Sequence, residues 1–354
     1  MLTTVIGTRP EIIKMAQLIP LFDRHFNHDF VLSGAHFNQE MVDVFLNELS
    51  VRKPDSLLNA RSSEYPALLP LIKNHLKNND SKYVVVYGDT ATTMAATLAA
   101  QKYHKKIIHI EAGLRSYDKR MAEELIRVIV DHLSDYLFTP TDLTSSFLKK
   151  ESITDNVFVV GNTAVDACLS FSDEARKRSR ILENLNMQKD NFVVSTIHRA
   201  ENVDEPKKLM RTLQALSVLD YPVVLPMHPR IRKRIEEFGF KMPKNVVAID
   251  PVGYFDMLQL IENAVFVATD SGGLQEEAIT LGTPCLTLRE TTERWETIAA
   301  GANFLVGSDP LLIEYYAKMI VDTNLKNRIK KIPNPYGNGK TSENIAAILK
   351  EKLQ

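Results

Sequence analysis

Short runs rich in Val and Ile recur along this chain, each separated from the next by a longer stretch of helical period. They lie at 2–6, 30–33, 83–87, 107–110, 136–139 and 157–160 in the first half, and at 192–197, 222–227, 246–249, 264–269, 284–288 and 303–306 in the second. Most are continuously apolar rather than alternating, which is how strands buried on both faces of a parallel sheet read. The segments 94–101, 125–133 and 274–281 repeat apolar residues at helical spacing. Strand–helix alternation implies βαβ units and doubly wound sheets. Six strands, a polar stretch and six more strands therefore predict an α/β chain of two Rossmann-like domains, 1–165 and 166–339. The boundary falls between Asn162 and Asn191, where the charged run SDEARKRSRILEN reads as the solvated face of a helix. A tail beginning NPYGNG starts in turn residues and ends in a helical pattern.

Composition narrows the function classes. Lys plus Arg number 43 and Asp plus Glu 44, a balance that argues against a general nucleic-acid binder. No apolar run approaches the roughly 18 residues of a membrane span, and the first residues lack the basic and apolar regions of a signal peptide. Cys168 and Cys285 lie in different halves, as free thiols of a cytoplasmic protein would, rather than a disulfide framework. The nine histidines form no HExxH and no close Cys/His set, so no metal site is expected. There is no GxGxxG after the first strand and no GxxxxGK[ST], which removes the motif support for a nicotinamide cofactor or a P-loop.

The polar chemistry sits at strand ends. GTRPE, GAH, GDT, EAGLR, HRAEN, MHPR, TDSGGLQEE and RETTER each directly follow a predicted strand. Ligands of open α/β sheets bind outside the carboxyl ends of the strands, so two loaded sheets predict a cleft between domains. In GTRPEIIK, Thr8 and Glu11 have capping-box spacing and Pro10 favours the first turn. Arg9 then sits at a helix N-terminus and suits a diphosphate, with Lys14 one turn on; a plain cap with a surface Arg fits equally well. Ser271, Gly272 and Gly273 form a strand–turn–helix cradle for phosphate, and Glu276 or Glu277 could take ribose hydroxyls. Asp89, Glu111 and Glu123, with Glu124 beside it, are candidate proton carriers. Glu123 also has the spacing of an i,i+4 ion pair with Arg127. His198 at its strand end could bind phosphate or relay protons, with His228 a weaker second.

Taken in order, GTRPEIIK, GDT, HIEAGLR, AEE with Arg127, HRAEN, TDSGGLQEEA and RETTER resemble the non-hydrolysing UDP-N-acetylglucosamine 2-epimerase family, from Ile6 to the NPYGNG segment. The resemblance implies the GT-B arrangement of two Rossmann-like domains with an interdomain cleft, the helix at 340–354 returning to the first domain, and a cytoplasmic homodimer. It implies interconversion of UDP-N-acetylglucosamine and UDP-N-acetylmannosamine without a cofactor. UDP would leave, giving 2-acetamidoglucal, and would add back after reprotonation on the other face. By the same resemblance Asp89, Glu111 and Glu123 are the acid/base carboxylates and His198 the phosphate-side histidine. Arg9, Lys14, Arg127, Ser271, Gly272, Gly273, Glu277 and Arg294 contact substrate, and Met257 lies beside uracil. His36 remains where relatives bind a second UDP-sugar, although Ala35 stands in place of their Gln. Ala122 and Ile126 replace the family's Pro and Asn, and TERWE brings Trp295 in place of Pro. A hydrolysing relative and a UDP-2,3-diacetamido-glucuronate 2-epimerase share these motifs. A GT-B glycosyltransferase would need an acceptor groove, and a UDP-sugar-binding regulator would leave the carboxylates dispensable.

Overall fold

The computed structural model describes residues 1–34, 45–62 and 64–353. The chain divides into two compact units, one of Met1–Ala167 with Tyr336–Gln354 and the other of Cys168–Pro335. In the first unit the strands are β1 (Leu2–Ile6), β2 (His28–Leu32), β3 (Ser56–Leu57), β4 (Tyr83–Tyr87), β5 (Lys106–Ile110), β6 (Tyr136–Thr139) and β7 (Val157–Val159). All pair in parallel, in the order β3-β2-β1-β4-β5-β6-β7. The sequence predicts six strands here, and the seventh is β3. It holds only two residues, registered as Val31 against Ser56 and Leu32 against Leu57, and no apolar run announces it.

The central strands are buried because helices cover both faces. Every residue of β1 is buried, and β4 and β5 are buried from Val84 and Ile107 onward. Helix Ala91–Lys102 turns Ala95, Ala96, Ala99 and Ala100 into a core with Val84, Val86 and Ile107. Small side chains let it lie close to the sheet and to helix Tyr65–Lys77, which adds Leu68, Ile72 and Leu76. The last segment is fastened to this unit. Asn162 donates its N–H to the Tyr336 carbonyl at 2.9 Å, and buried Asp166 accepts the N–H groups of Thr341 and Ser342 at 3.1 and 2.6 Å. Asp166 thus caps helix Thr341–Lys352 from another element, satisfying two of its orphan donors.

In the second unit β8 (Val193–Thr196), β9 (Val223–Pro226), β10 (Val246–Ile249), β11 (Val267–Thr269), β12 (Cys285–Thr287) and β13 (Asn303–Leu305) are again all parallel. Their order is β10-β9-β8-β11-β12-β13. Strand order reverses between β1 and β4 in the first sheet and between β8 and β11 in the second. Chain crossovers diverge at such a point, leaving a crevice at the carboxyl ends of those strands. The fold therefore selects two tips, Gly7–Arg9 with Gly88–Thr90, and Ile197–Arg199 with Asp270–Gly273. Among the described residues, no helix is long and apolar enough to cross a membrane.

Candidate active site

At the first switch point β1 runs into helix Arg9–Met15 through Gly7 and Thr8. A side chain at Gly7 would lie 2.1 Å from Thr92 Oγ1 and 2.4 Å from Ser33 Oγ, so this crossing admits no Cβ. Glu11 folds back and accepts the N–H of Gly7 at 3.0 Å, the N–H of Thr8 at 2.7 Å and the hydroxyl of Thr90 at 3.1 Å. This is the reciprocal half of a capping box, extended to the neighbouring strand tip. Arg9 stacks its guanidinium 4.2 Å from the Phe45 ring centroid.

Burial pushes the Glu11 carboxyl up to about 7, against the hydrogen bonds from Thr8, Gly7 and Thr90. The folded state therefore holds this proton more tightly than the unfolded chain. Its contribution to stability is full below pH 4.5, the ordinary value, and is lost as pH rises through about 7. Relative to Glu11→Gln, the wild-type protein should lose about 3 kcal/mol of stability across that window. Urea unfolding of both proteins at a series of pH values checks this, and parallel curves would contradict it.

Glu111 and Asp89 stand at the tips of β5 and β4, and Glu123 and Glu124 open the helix that follows β5. Glu111, one residue beyond β5, is buried and has φ +68°, a left-handed conformation that costs a non-glycine residue about 1 kcal/mol or more. It pairs with Lys14 Nζ and accepts the Tyr87 hydroxyl at 2.9 Å. Asp89 meets Arg127 Nη2 at 2.5 Å. Arg127 is buried, and its Nη1 also meets Glu124 at 2.8 Å. Glu124 in turn accepts the N–H groups of Ser116 and Tyr117 and the Ser116 hydroxyl. Glu123 is half-buried in the first turn of the same helix, Ala122–Leu133. Beneath the tips, His109 sits between Asp131 at 2.7 Å and the Gly88 carbonyl at 2.9 Å, and Arg115 joins Asp131 at 2.7 Å.

At the second switch point Asp270 is fully buried. Its carboxylate accepts the N–H of His198 at 3.0 Å, the N–H of Arg199 at 2.9 Å and the Asn202 amide at 3.1 Å. It also meets His198 Nδ1 at 2.8 Å, which holds the ring in one orientation. Burial pushes the Asp270 carboxyl up. The His198 ring and the two N–H donors outweigh burial and hold it at about 2. Ser271 then opens helix Gly272–Thr280. A Cβ at Gly272 would lie 2.8 Å from Glu293 Oε1, so a side chain there would have to displace that carboxylate. Glu293 is paired with Arg289 at 2.9 Å and lies 3.6 Å from Arg199. Backbone N–H groups at a helix start, with cations alongside, make an anion-binding corner.

A family model of UDP-N-acetylglucosamine 2-epimerases matches residues 22–350. The chain belongs to the UDP-N-acetylglucosamine 2-epimerase family. It is 38% identical to a UDP-N-acetylglucosamine 2-epimerase of Methanocaldococcus jannaschii, with 98% of each chain covered. It is 37% identical to a UDP-2,3-diacetamido-2,3-dideoxy-D-glucuronate 2-epimerase of Pseudomonas aeruginosa, again with 98% of each covered. The crystal structure of the M. jannaschii epimerase in complex with UDP-GlcNAc and UDP matches with a TM-score of 0.90 over 99% of both chains. The chain therefore has the α/β fold of these epimerases and belongs with enzymes acting on a nucleotide sugar.

Within the first unit the fold pairs Lys14 with Glu111 and Arg127 with Asp89, while Arg9 stands against Phe45 at the β1 tip. In the second it gathers His198, Ser271, Gly272 and Gly273. Glu277 is half-buried on the same helix as the glycines. Arg294 is buried against Glu276 at 2.5 Å. Met257 packs against the two apolar clusters around Ile261 and Leu260. His36 lies outside the described residues. Sequence reasoning left Tyr87, Asp270 and Glu293 without roles. Tyr87 ends an apolar run, which hides its hydroxyl, whereas Asp270 stands directly at a strand tip and was open to inference. Among the described residues, no group of three or more His, Cys, Asp or Glu side chains is placed to hold a metal ion.

Proposed function

We propose that this member of the epimerase family inverts C2 of UDP-N-acetylglucosamine reversibly, by elimination and re-addition of UDP. The observation that carries this reading is the pair of cation-matched carboxylates at adjoining strand tips, buried Glu111 with Lys14 and half-buried Asp89 with Arg127. The C2 proton has no carbonyl beside it in the ring, so direct exchange is very slow. Breaking the C1–O bond to the diphosphate while a carboxylate takes the C2 proton gives 2-acetamidoglucal and UDP. Returning a proton to the opposite face, with UDP re-forming the C1–O bond, gives UDP-N-acetylmannosamine with no net redox change. Such chemistry needs acid and base at one sugar carbon and a leaving group whose charge is met beforehand. Asp89, Glu111 and Glu123 are assigned the proton steps. Arg9, His198, Ser271, Gly272 and Gly273 are assigned the diphosphate, and Glu277 the ribose. Arg294 and Met257 keep their substrate-side assignment as part of the same proposal, which also takes the protein as a cytoplasmic homodimer.

A second reading has comparable support, because the diacetamido-glucuronate epimerase is nearly as similar as the M. jannaschii enzyme. Proton NMR in D₂O with UDP-N-acetylglucosamine and no added cofactor decides. Deuterium at C2 with UDP-N-acetylmannosamine appearing is the expected result. Free N-acetylmannosamine with UDP would mean hydrolysis instead. No exchange, with turnover of the diacetamido-uronate, would favour the second reading.

A further inference from the structure

The geometry points to Tyr87 as a positioning residue for Glu111, itself set by Thr163; the inference rests on the epimerase reading above. Tyr87 is the last residue of β4 and is 2% exposed. Its hydroxyl donates to Glu111 Oε2 at 2.9 Å and lies 2.9 Å from Thr163 Oγ1. A phenol has one proton, and the carboxylate can only accept. The Thr163 hydroxyl therefore donates to the phenol oxygen, and the chain runs from Thr163 to Tyr87 to Glu111. Hydrogen bonds aligned in one direction strengthen one another in a buried setting. Lys14 Nζ reaches the same Oε2, and its ammonium lies 5.5 Å from the Tyr87 ring centroid. Two donors from two elements thus fix one carboxylate oxygen. The other, Oε1, lies 3.8 Å from where a Cβ on Gly88 would stand. The carboxylate plane is held so that Oε1 is directed to the β4 tip that carries Asp89. Thr163 opens helix Thr163–Arg178, through which the chain leaves the first unit.

Donation to the charged form favours that form, and the Tyr87 hydroxyl is such a donor to Glu111. Charged groups near it include Lys14 from helix Arg9–Met15 and, at the neighbouring tip, Asp89 with Arg127 from helix Ala122–Leu133. Tyr87→Phe keeps the ring and removes only the hydroxyl. We expect kcat to fall about 10- to 100-fold, with KM for UDP-N-acetylglucosamine changed less than about twofold. The acid limb of kcat/KM should move up by about one pH unit. Thr163→Val should give a smaller loss of about threefold, and no further loss in the Tyr87→Phe background, because it acts only through the phenol. An unchanged kcat and acid limb in Tyr87→Phe, or a loss in KM alone, would overturn the inference. So would an undiminished Thr163→Val effect in the double variant. Should Tyr87→Phe fail to fold, an unchanged acid limb in Thr163→Val overturns it on its own. Wild-type protein that moves no solvent deuterium into C2 removes the functional reading instead. Wild-type exchange with equal Tyr87→Phe exchange removes only this inference.

Discussion

Glu111→Gln is expected to lower kcat about 10³-fold or more while leaving UDP affinity within about threefold. The residue has the features of a proton carrier rather than of a packing group. It is buried at a strand end, and its backbone holds φ +68°, a conformation that a glycine would adopt without cost. Strain of this kind persists where surrounding contacts over-determine it, and here the Lys14 ammonium and the Tyr87 hydroxyl do so. The amide keeps the shape and the left-handed backbone but can neither take a proton nor neutralise Lys14. UDP should still bind, because most of the residues proposed to hold the diphosphate, His198, Ser271, Gly272 and Gly273, belong to the other unit. Calorimetric titration with UDP and exchange at C2 by NMR separate the two effects. Retained turnover within about tenfold would take Glu111 out of the proton step, leaving Asp89 and Glu123 to share it.

How much of this could be read without coordinates follows from which interactions are local. Buried parallel strands announce themselves as continuous apolar runs, so β1, β4, β5, β8 and β11 were legible. Strand β3 was not, since two residues paired only with β2 carry no pattern of their own. Strand-end polar clusters were legible for a similar reason, because a βα turn places its residues beside the sheet whatever else the chain does. The partners of those residues were not. Sequence spacing offers Glu123 as a partner of Arg127 at i,i+4, and the fold adds Glu124 at i,i+3 and Asp89 from 38 positions away. Lys14 and Glu111 are separated by 97 positions and meet only because β1, β4 and β5 are neighbours in the sheet.

Asp270→Asn should combine a large stability loss with a large loss of nucleotide binding, which distinguishes it from the Glu111 variant. Asp270 gathers four donors from one loop: the N–H groups of His198 and Arg199, the Asn202 amide and His198 Nδ1. An amide has one accepting atom where the carboxylate has two, so its NH₂ must face at least one of these donors. Leaving a buried donor unmet costs about 1–3 kcal/mol, and losing the charge opposite the His198 ring adds to this. The ring would no longer be held through Nδ1, so Nε2 would lose its fixed direction. About tenfold weaker UDP binding is the expected consequence. The pH dependence gives an independent mark. The folded-state value of about 2 lies below the ordinary 3.8, so the Asp270 contribution is present above pH 3.8 and is lost as pH falls to about 2. That contribution is about 2 kcal/mol, and Asp270→Asn should lack it, so the stability gap between the two proteins should narrow on acidification across that window. Denaturant unfolding at pH 7 and at steps below pH 4 measures both. A gap that stays constant would mean that the carboxylate charge does not hold the His198 loop, and that the loss arises from packing alone.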